Sequence, residues 1–196
     1  MTIRPTLEYI HIMNTPKPLR KSHVAINNTY FWTATINNWQ LLLLDDTMKL
    51  EIIHSLQWLV TKKLVSIYGY VIMPNHIHIL WSIHATNNNE LPHSSFLKYT
   101  AHRFKSILNQ KNPKALDNYR VNAQNKQYEF WQRDSFAMKI ESRKFLIKKI
   151  EYIHKNPLAK KWNLCRNIID YNFSSAKYYE LGIDDYNILT HVGEIY

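Results

Sequence analysis

Hydrophobic and polar positions change their period several times along the chain, and each change marks an element. Tyr30 to Ile36 (YFWTATI) is aromatic and β-branched, a composition suited to a pleated strand. After a polar turn at Asn37 and Asn38, any of Asp45, Asp46 or Thr47 can cap a helix. Its apolar residues Leu50, Ile53, Leu56 and Val60 recur at helical spacing to about Lys63. Leu64 to Met73 and His76 to Ile83 read as a second and a third strand. Pro74 breaks the ladder between them, because proline lacks a donor and restricts its predecessor. Thr86 to Pro92 (TNNNELP) is a loop, and Ser94 or Ser95 caps the next helix, with a stripe of Leu97, Ala101, Phe104 and Leu108. Asn109 to Gln127 is polar and carries Pro113, which predicts a long loop or insertion. Tyr128 to Ile140 (YEFWQRDSFAMKI) reads as a fourth, bulged strand. Ser142 then caps a helix to about Lys155 that buries Leu146, Ile150 and Ile153 and stops at Asn156-Pro157. From Leu158 the pattern weakens to a C-terminal helix and tail.

The order β-α-β-β-α-β-α predicts an α+β fold with one mostly antiparallel sheet of about four strands and helices on one face. Ile77, Ile79 and Trp81 then face the helices, and His76 and His78 lie on the uncovered side. At 196 residues the chain divides most simply into an arm (1–28), one domain (29–157) and a basic, aromatic extension (158–196) packed on that domain.

Charge narrows the choice of partner. The net charge is +10, from 25 Lys and Arg against 15 Asp and Glu, which points to a polyanion. Two acid-free stretches are notably basic. Leu91 to Leu116 holds Lys98, Arg103, Lys105, Lys111 and Lys114, and Tyr152 to Ile169 holds Lys155, Lys160, Lys161 and Arg166. Thirteen Tyr and six Trp add flat rings on which unpaired bases could stack. Three scattered glycines exclude a Walker loop or a dinucleotide fingerprint, so no nucleotide cofactor is expected. A single cysteine excludes an intramolecular disulfide framework. No apolar run approaches the ~18 residues of a membrane span, which makes a cytoplasmic protein the expectation.

Two places carry candidate chemistry. On a strand His76 and His78 project to the same side, and two adjacent imidazoles on a rigid element are half of a divalent-metal site. On the helix IEYIHKNP, Tyr152 and Asn156 are one turn apart, and Lys148, Lys149 and Lys155 surround the phenol with positive charge. A free phenol ionises near ~10, and neighbouring cations favour the phenolate a nucleophile needs. Tyr99, in FLKYTAHRFK, is a rival nucleophile, but four residues on it has Arg103, a cation that cannot complete a metal shell. Arg133 is a candidate phosphate contact, and Trp131 a core residue.

The segments YGYVIMPNHIHILW, WQRDSF and IEYIHKNPLAKKW, in that order, resemble the REP-associated tyrosine transposases, a branch of the HUH single-strand nucleases. YNFSSAKYY (171–179) is a weaker fourth match, and together the segments span roughly Tyr30 to Ser175. The resemblance implies a ferredoxin-like or RRM-like HUH nuclease domain. It implies that His76, His78 and Asn156 hold Mg²⁺ or Mn²⁺ and that Tyr152 attacks a DNA phosphate, leaving a 5′-phosphotyrosine and a free 3′-OH. The implied partner is single-stranded DNA folded into a hairpin, held by Lys98, Arg103, Lys105, Arg133, Lys148, Lys149, Lys155 and Lys160. Monomer and dimer both stay open, with Asn156-Pro157 and the basic extension favouring the monomer. A binder of DNA or RNA hairpins that keeps the fold without the chemistry is the alternative.

Overall fold

The computed structural model describes residues 24–195, so most of the arm expected over 1–28 lies outside the described residues. Four strands form the central sheet: β1 (Asn28–Thr35), β2 (Val65–Met73), β3 (His76–Ile83) and a short last strand (Phe136–Lys139). Their spatial order is β2-β3-β1 and then the last strand, and every pairing is antiparallel. The register sets Thr33 and Val71 on either side of His78, and Trp32 beside Ile79. Alternation then gives each face its own core. One gathers Trp32, Ala34, Ile77, Ile79 and Trp81, and the other Phe31, Val71, Met73 and Leu80.

Helix α1 (Asp46–Thr61) starts where Asp45 accepts a hydrogen bond from the Thr47 amide at 2.8 Å. Its buried stripe is Met48, Ile52, Ile53, Leu56 and Leu59, not the expected one beginning at Leu50. Leu50 is exposed, because Met48, at the first turn, sets the phase of the stripe. Helix α2 (Pro92–Lys111) begins before the expected serine cap. Pro92 sits in the first turn, where its missing N–H costs nothing. Both helices cover the Trp32 face.

Residues 109–127 are not the long loop that their polarity suggested. Helix α2 runs on to Lys111, and a short α3 (Pro113–Leu116) follows, with the Asn112 side chain accepting from the Ala115 amide at 3.2 Å. Strands β4 (Arg120–Ala123) and β5 (Lys126–Tyr128) then make a hairpin. Its strands of four and three residues carry no buried side chain and are too short for a period to announce them. The expected single strand over 128–140 is likewise divided. Trp131 bridges Ile36, Asp134 turns the chain at a φ of 62°, and the sheet resumes with the last strand, now β6 (Phe136–Lys139).

Helix α4 (Arg143–Lys155) forms as expected, with Ser142 accepting from the Phe145 amide at 3.3 Å and Leu146, Ile150 and Ile153 buried. Each of those side chains contributes about 1.5–3 kcal/mol on burial. The difference lies in where they are buried. They pack on Phe31, Val71, Met73 and Leu80, so α4 covers the face expected to be open. The α+β class and the antiparallel sheet stand, but helices lie on both faces. Gly69 permits this close approach, because a Cβ there would lie 2.6 Å from Ile150 Cδ1.

The C-terminal segment lies along the outer edge of β2. The Ile72 amide donates to the Phe173 carbonyl at 2.9 Å, the Ser175 amide to Tyr70 at 3.0 Å and the Thr190 amide to Ile67 at 2.8 Å. A short α5 (Ala176–Leu181) lies within this segment, which protects what would otherwise be an unpaired edge. Among the described residues no helix is long and apolar enough to cross a membrane.

Candidate active site

His76 and His78 open β3 and project together, their ring centres 4.8 Å apart and both rings buried. Each ring is held by its Nδ1. His76 Nδ1 lies 2.7 Å from Asn75 Oδ1, and the Asn75 amide nitrogen in turn donates to the Trp39 carbonyl at 3.2 Å. A carbonyl oxygen only accepts, so His76 carries its proton on Nδ1 and presents a lone pair at Nε2. His78 Nδ1 lies 2.7 Å from the hydroxyl of Thr33, its partner across the β1–β3 ladder. Both rings are kept neutral. Burial, and then the Lys161 charge, pushes His76 down to about 4. Burial, His76, Lys149 and Lys161 in turn hold His78 well below the usual imidazole range.

Helix α4 brings Tyr152 to this pair. The Tyr152 hydroxyl is 3.4 Å from His78 Nε2, and the ring centres are 5.2 Å apart. Phe31 fills the remaining corner, stacked on His78 at 5.1 Å and edge-on to Tyr152 at 5.9 Å. Lys149 Nζ stands 4.5 Å over the Phe31 ring and 5.6 Å over that of Tyr152. Tyr152 keeps 48% of its surface exposed, so its hydroxyl is reachable by a macromolecular substrate. One turn later Asn156 is buried at the start of a 3₁₀ turn, and Trp162 closes over His76 at 5.8 Å.

Among the described residues no three His, Cys, Asp or Glu side chains converge. A cation at this place would therefore rest on the two imidazole Nε2 atoms of His76 and His78. Two neutral imidazoles with fixed outer nitrogens suit a divalent transition metal better than Mg²⁺, which prefers oxygen. Neutral ligands also leave the ion its full charge.

The basic residues fall into two groups. Lys148, Lys155 and Lys160 are exposed on α4 and just beyond it, with Lys149 beside the phenol, although Lys155 is shared with Glu151 at 3.4 Å. Lys98, Arg103, Lys105 and Arg133 lie in the other layer. There Lys98 pairs with Glu90, Arg103 makes two 2.9 Å bonds to Glu51, and Arg133 is 3.3 Å from Glu129. Lys98 and Arg133 line a groove of about 760 Å³ between α2 and residues 126–135, and Lys105 stands over the Tyr128 ring at 5.2 Å. Tyr99 is on that far side too, in a cavity of about 310 Å³ with His54 and Trp58, away from the histidine pair. Trp131 is buried and donates to the Thr100 hydroxyl at 2.9 Å. Thr33 and Phe31 were not among the residues expected at the site, and Lys161 stood out only as one cation of a basic stretch. The only available signal for the first two was their shared parity in YFWTATI, which has meaning once the β1–β3 register is known.

Neither a scan against protein-family models nor a comparison with curated proteins gives a match. Solved structures do. One, described as a REP-associated tyrosine transposase bound to a REP hairpin, superposes with a TM-score of 0.57 over 88% of this chain and 91% of its own, at 18% identity. The chain shares the fold of that REP-associated tyrosine transposase. At this level of identity the likeness concerns architecture: a four-stranded antiparallel sheet with helices.

Proposed function

We propose that the protein is a metal-dependent single-stranded DNA nickase and ligase of the HUH tyrosine transposase type, acting on hairpin DNA. One observation carries the reading: the Tyr152 hydroxyl stands 3.4 Å from Nε2 of a histidine whose neighbour two residues away presents the same atom. The shared fold supports it, as does the hairpin carried by the structural neighbour.

In this reading Tyr152 Oη forms a bond to the phosphorus of a backbone phosphate, and the 3′-oxygen on its other side leaves and takes up a proton. The products are a 5′-phosphotyrosine and a 3′-OH. Because the phosphodiester energy is conserved, attack by a 3′-OH reverses the step and rejoins DNA without ATP. Mg²⁺ or Mn²⁺ held by His76, His78 and Asn156 would supply Lewis-acid polarisation of the phosphate oxygens. Lys149 places a positive charge beside the reacting phenol, and Lys148, Lys155 and Lys160 meet the flanking phosphates. Phe31 and Trp162 exclude water from the inner side of the histidines. Lys98, Lys105 and Arg133 offer a second surface for folded DNA, whereas Arg103 is engaged twice by Glu51.

The test is incubation with labelled single-stranded hairpins from repeats flanking the gene, with Mn²⁺ or Mg²⁺ and with EDTA. A protein–DNA adduct on a denaturing gel is expected with metal, and none with EDTA, Tyr152→Phe or His76→Ala. Tight hairpin binding with no adduct under any metal would leave a binding protein.

A further inference from the structure

The last turn of α4 is fastened at a point that the proposed chemistry does not use. His154 lies between Tyr152 and Asn156 in sequence but on the opposite side of the helix, 5% exposed. Its Nε2 is 3.0 Å from the Ser175 hydroxyl, and its ring packs on Tyr179 at 5.3 Å. Ser175 is 1% exposed and belongs to the segment lying along the β2 edge. Its hydroxyl also accepts the Tyr70 amide proton at 3.0 Å, while its own amide donates to the Tyr70 carbonyl at 3.0 Å. Opposite them, Gly69 leaves room for Ile150, and a Cβ there would lie 3.3 Å from Ser175 Oγ. Helix, sheet and C-terminal segment therefore meet at one hydroxyl group.

We propose that His154 and Ser175 are positioning residues: their hydrogen bond fixes the last turn of α4 against β2 and so holds Tyr152 over the histidine pair. The inference rests on the reading of Tyr152 as nucleophile. A serine hydroxyl has one proton and two lone pairs: the proton goes to the Tyr70 carbonyl at 3.3 Å, and the Tyr70 amide and the His154 N–H fill the lone pairs. Without this bond α4 is held in the site by Leu146, Ile150 and Ile153, and apolar contacts are non-directional. They resist departure of the helix but not a small rotation about its axis. Rotation displaces the Tyr152 hydroxyl strongly, because the long side chain carries it far from the helix axis. The C-terminal segment thus becomes part of the active site without touching substrate.

The experiment uses the full chain as wild type, Ser175→Ala, His154→Leu, His154→Gln and the Ser175→Ala/His154→Leu double variant. Two quantities are read for each: the single-turnover rate of adduct formation at saturating hairpin DNA, and amide hydrogen exchange over residues 150–156. Loss of one hydrogen bond is expected to slow the adduct step about tenfold and to speed exchange in that turn by a similar factor. DNA affinity is expected to stay unchanged. The double variant should be no worse than either single one, and His154→Gln, which keeps a nitrogen donor near the Nε2 position, should recover both quantities. Unchanged exchange over 150–156 in Ser175→Ala and His154→Leu overturns the proposal, as does a rate loss matched by an equal loss of DNA affinity. If the wild type forms no adduct, the nucleophile reading fails, and the exchange data still decide whether the bond holds the helix.

Discussion

His76 and His78 can offer a cation only their Nε2 atoms, because Asn75 and Thr33 occupy the other nitrogens at 2.7 Å each. Outer hydrogen bonds of this kind commonly affect metal affinity 10- to 100-fold. Thr33→Val keeps the shape of the strand residue and removes the hydroxyl, so Mn²⁺ affinity measured by calorimetry should fall about tenfold or more. Unchanged affinity would mean that His78 is oriented by packing against Phe31 alone. The histidines themselves were legible in the sequence, since a strand period of two sets residues 76 and 78 on one side. Thr33 was not. It lies forty-five residues away from His78, and only the antiparallel register joins them.

At the scale of elements, the site depends on how closely α4 approaches β2. Gly69 lies at a register shift in β2, under Ile150, where a methyl group would come within 2.6 Å of Cδ1. Gly69→Ala should destabilise the fold by roughly 1–3 kcal/mol through overpacking, seen as a lower midpoint in urea. It should also abolish most adduct formation by lifting Tyr152 from His78, and full activity at lowered stability would show that the helix tolerates the shift. Helix α4 could be read from its Ser142 cap, its 3.6-residue stripe and the Asn156-Pro157 stop. Its place on the sheet could not. The stripe shows that one side is buried, not which face of the sheet receives it. The β4–β5 hairpin was hidden for a different reason, since strands of four and three residues are too short for a period to show.

Across the whole molecule, burying neutral histidines ties stability to pH. His76 and His154 are both pushed down to about 4 by burial, with the Lys161 charge adding to it at His76. The unfolded chain binds these protons near 6.5, so between 6.5 and 4 it carries more protons than the folded state. Stability is therefore complete above 6.5 and falls as pH drops toward 4, with each histidine contributing on the order of 3 kcal/mol. Denaturation of the metal-free protein across this range should show a steep loss, and a flat profile would contradict neutral burial. The basic surplus was plain in the composition, but its division between the two layers was not. Lys98 and Lys105 were expected to hold DNA, as were Lys148 and Lys149, and the helices that carry the two pairs pack on opposite faces of the sheet.

In the proposed reaction Tyr152 becomes covalently joined to DNA, so the residue that carries the attachment decides it. Wild-type protein would be incubated with hairpin DNA and Mn²⁺, digested with nuclease and trypsin, and its peptides sequenced by mass spectrometry. A nucleotide phosphate on the peptide spanning residues 150–155, attached at Tyr152, is the expected result. Attachment at Tyr99 or at any other residue would move the nucleophile away from the histidine pair.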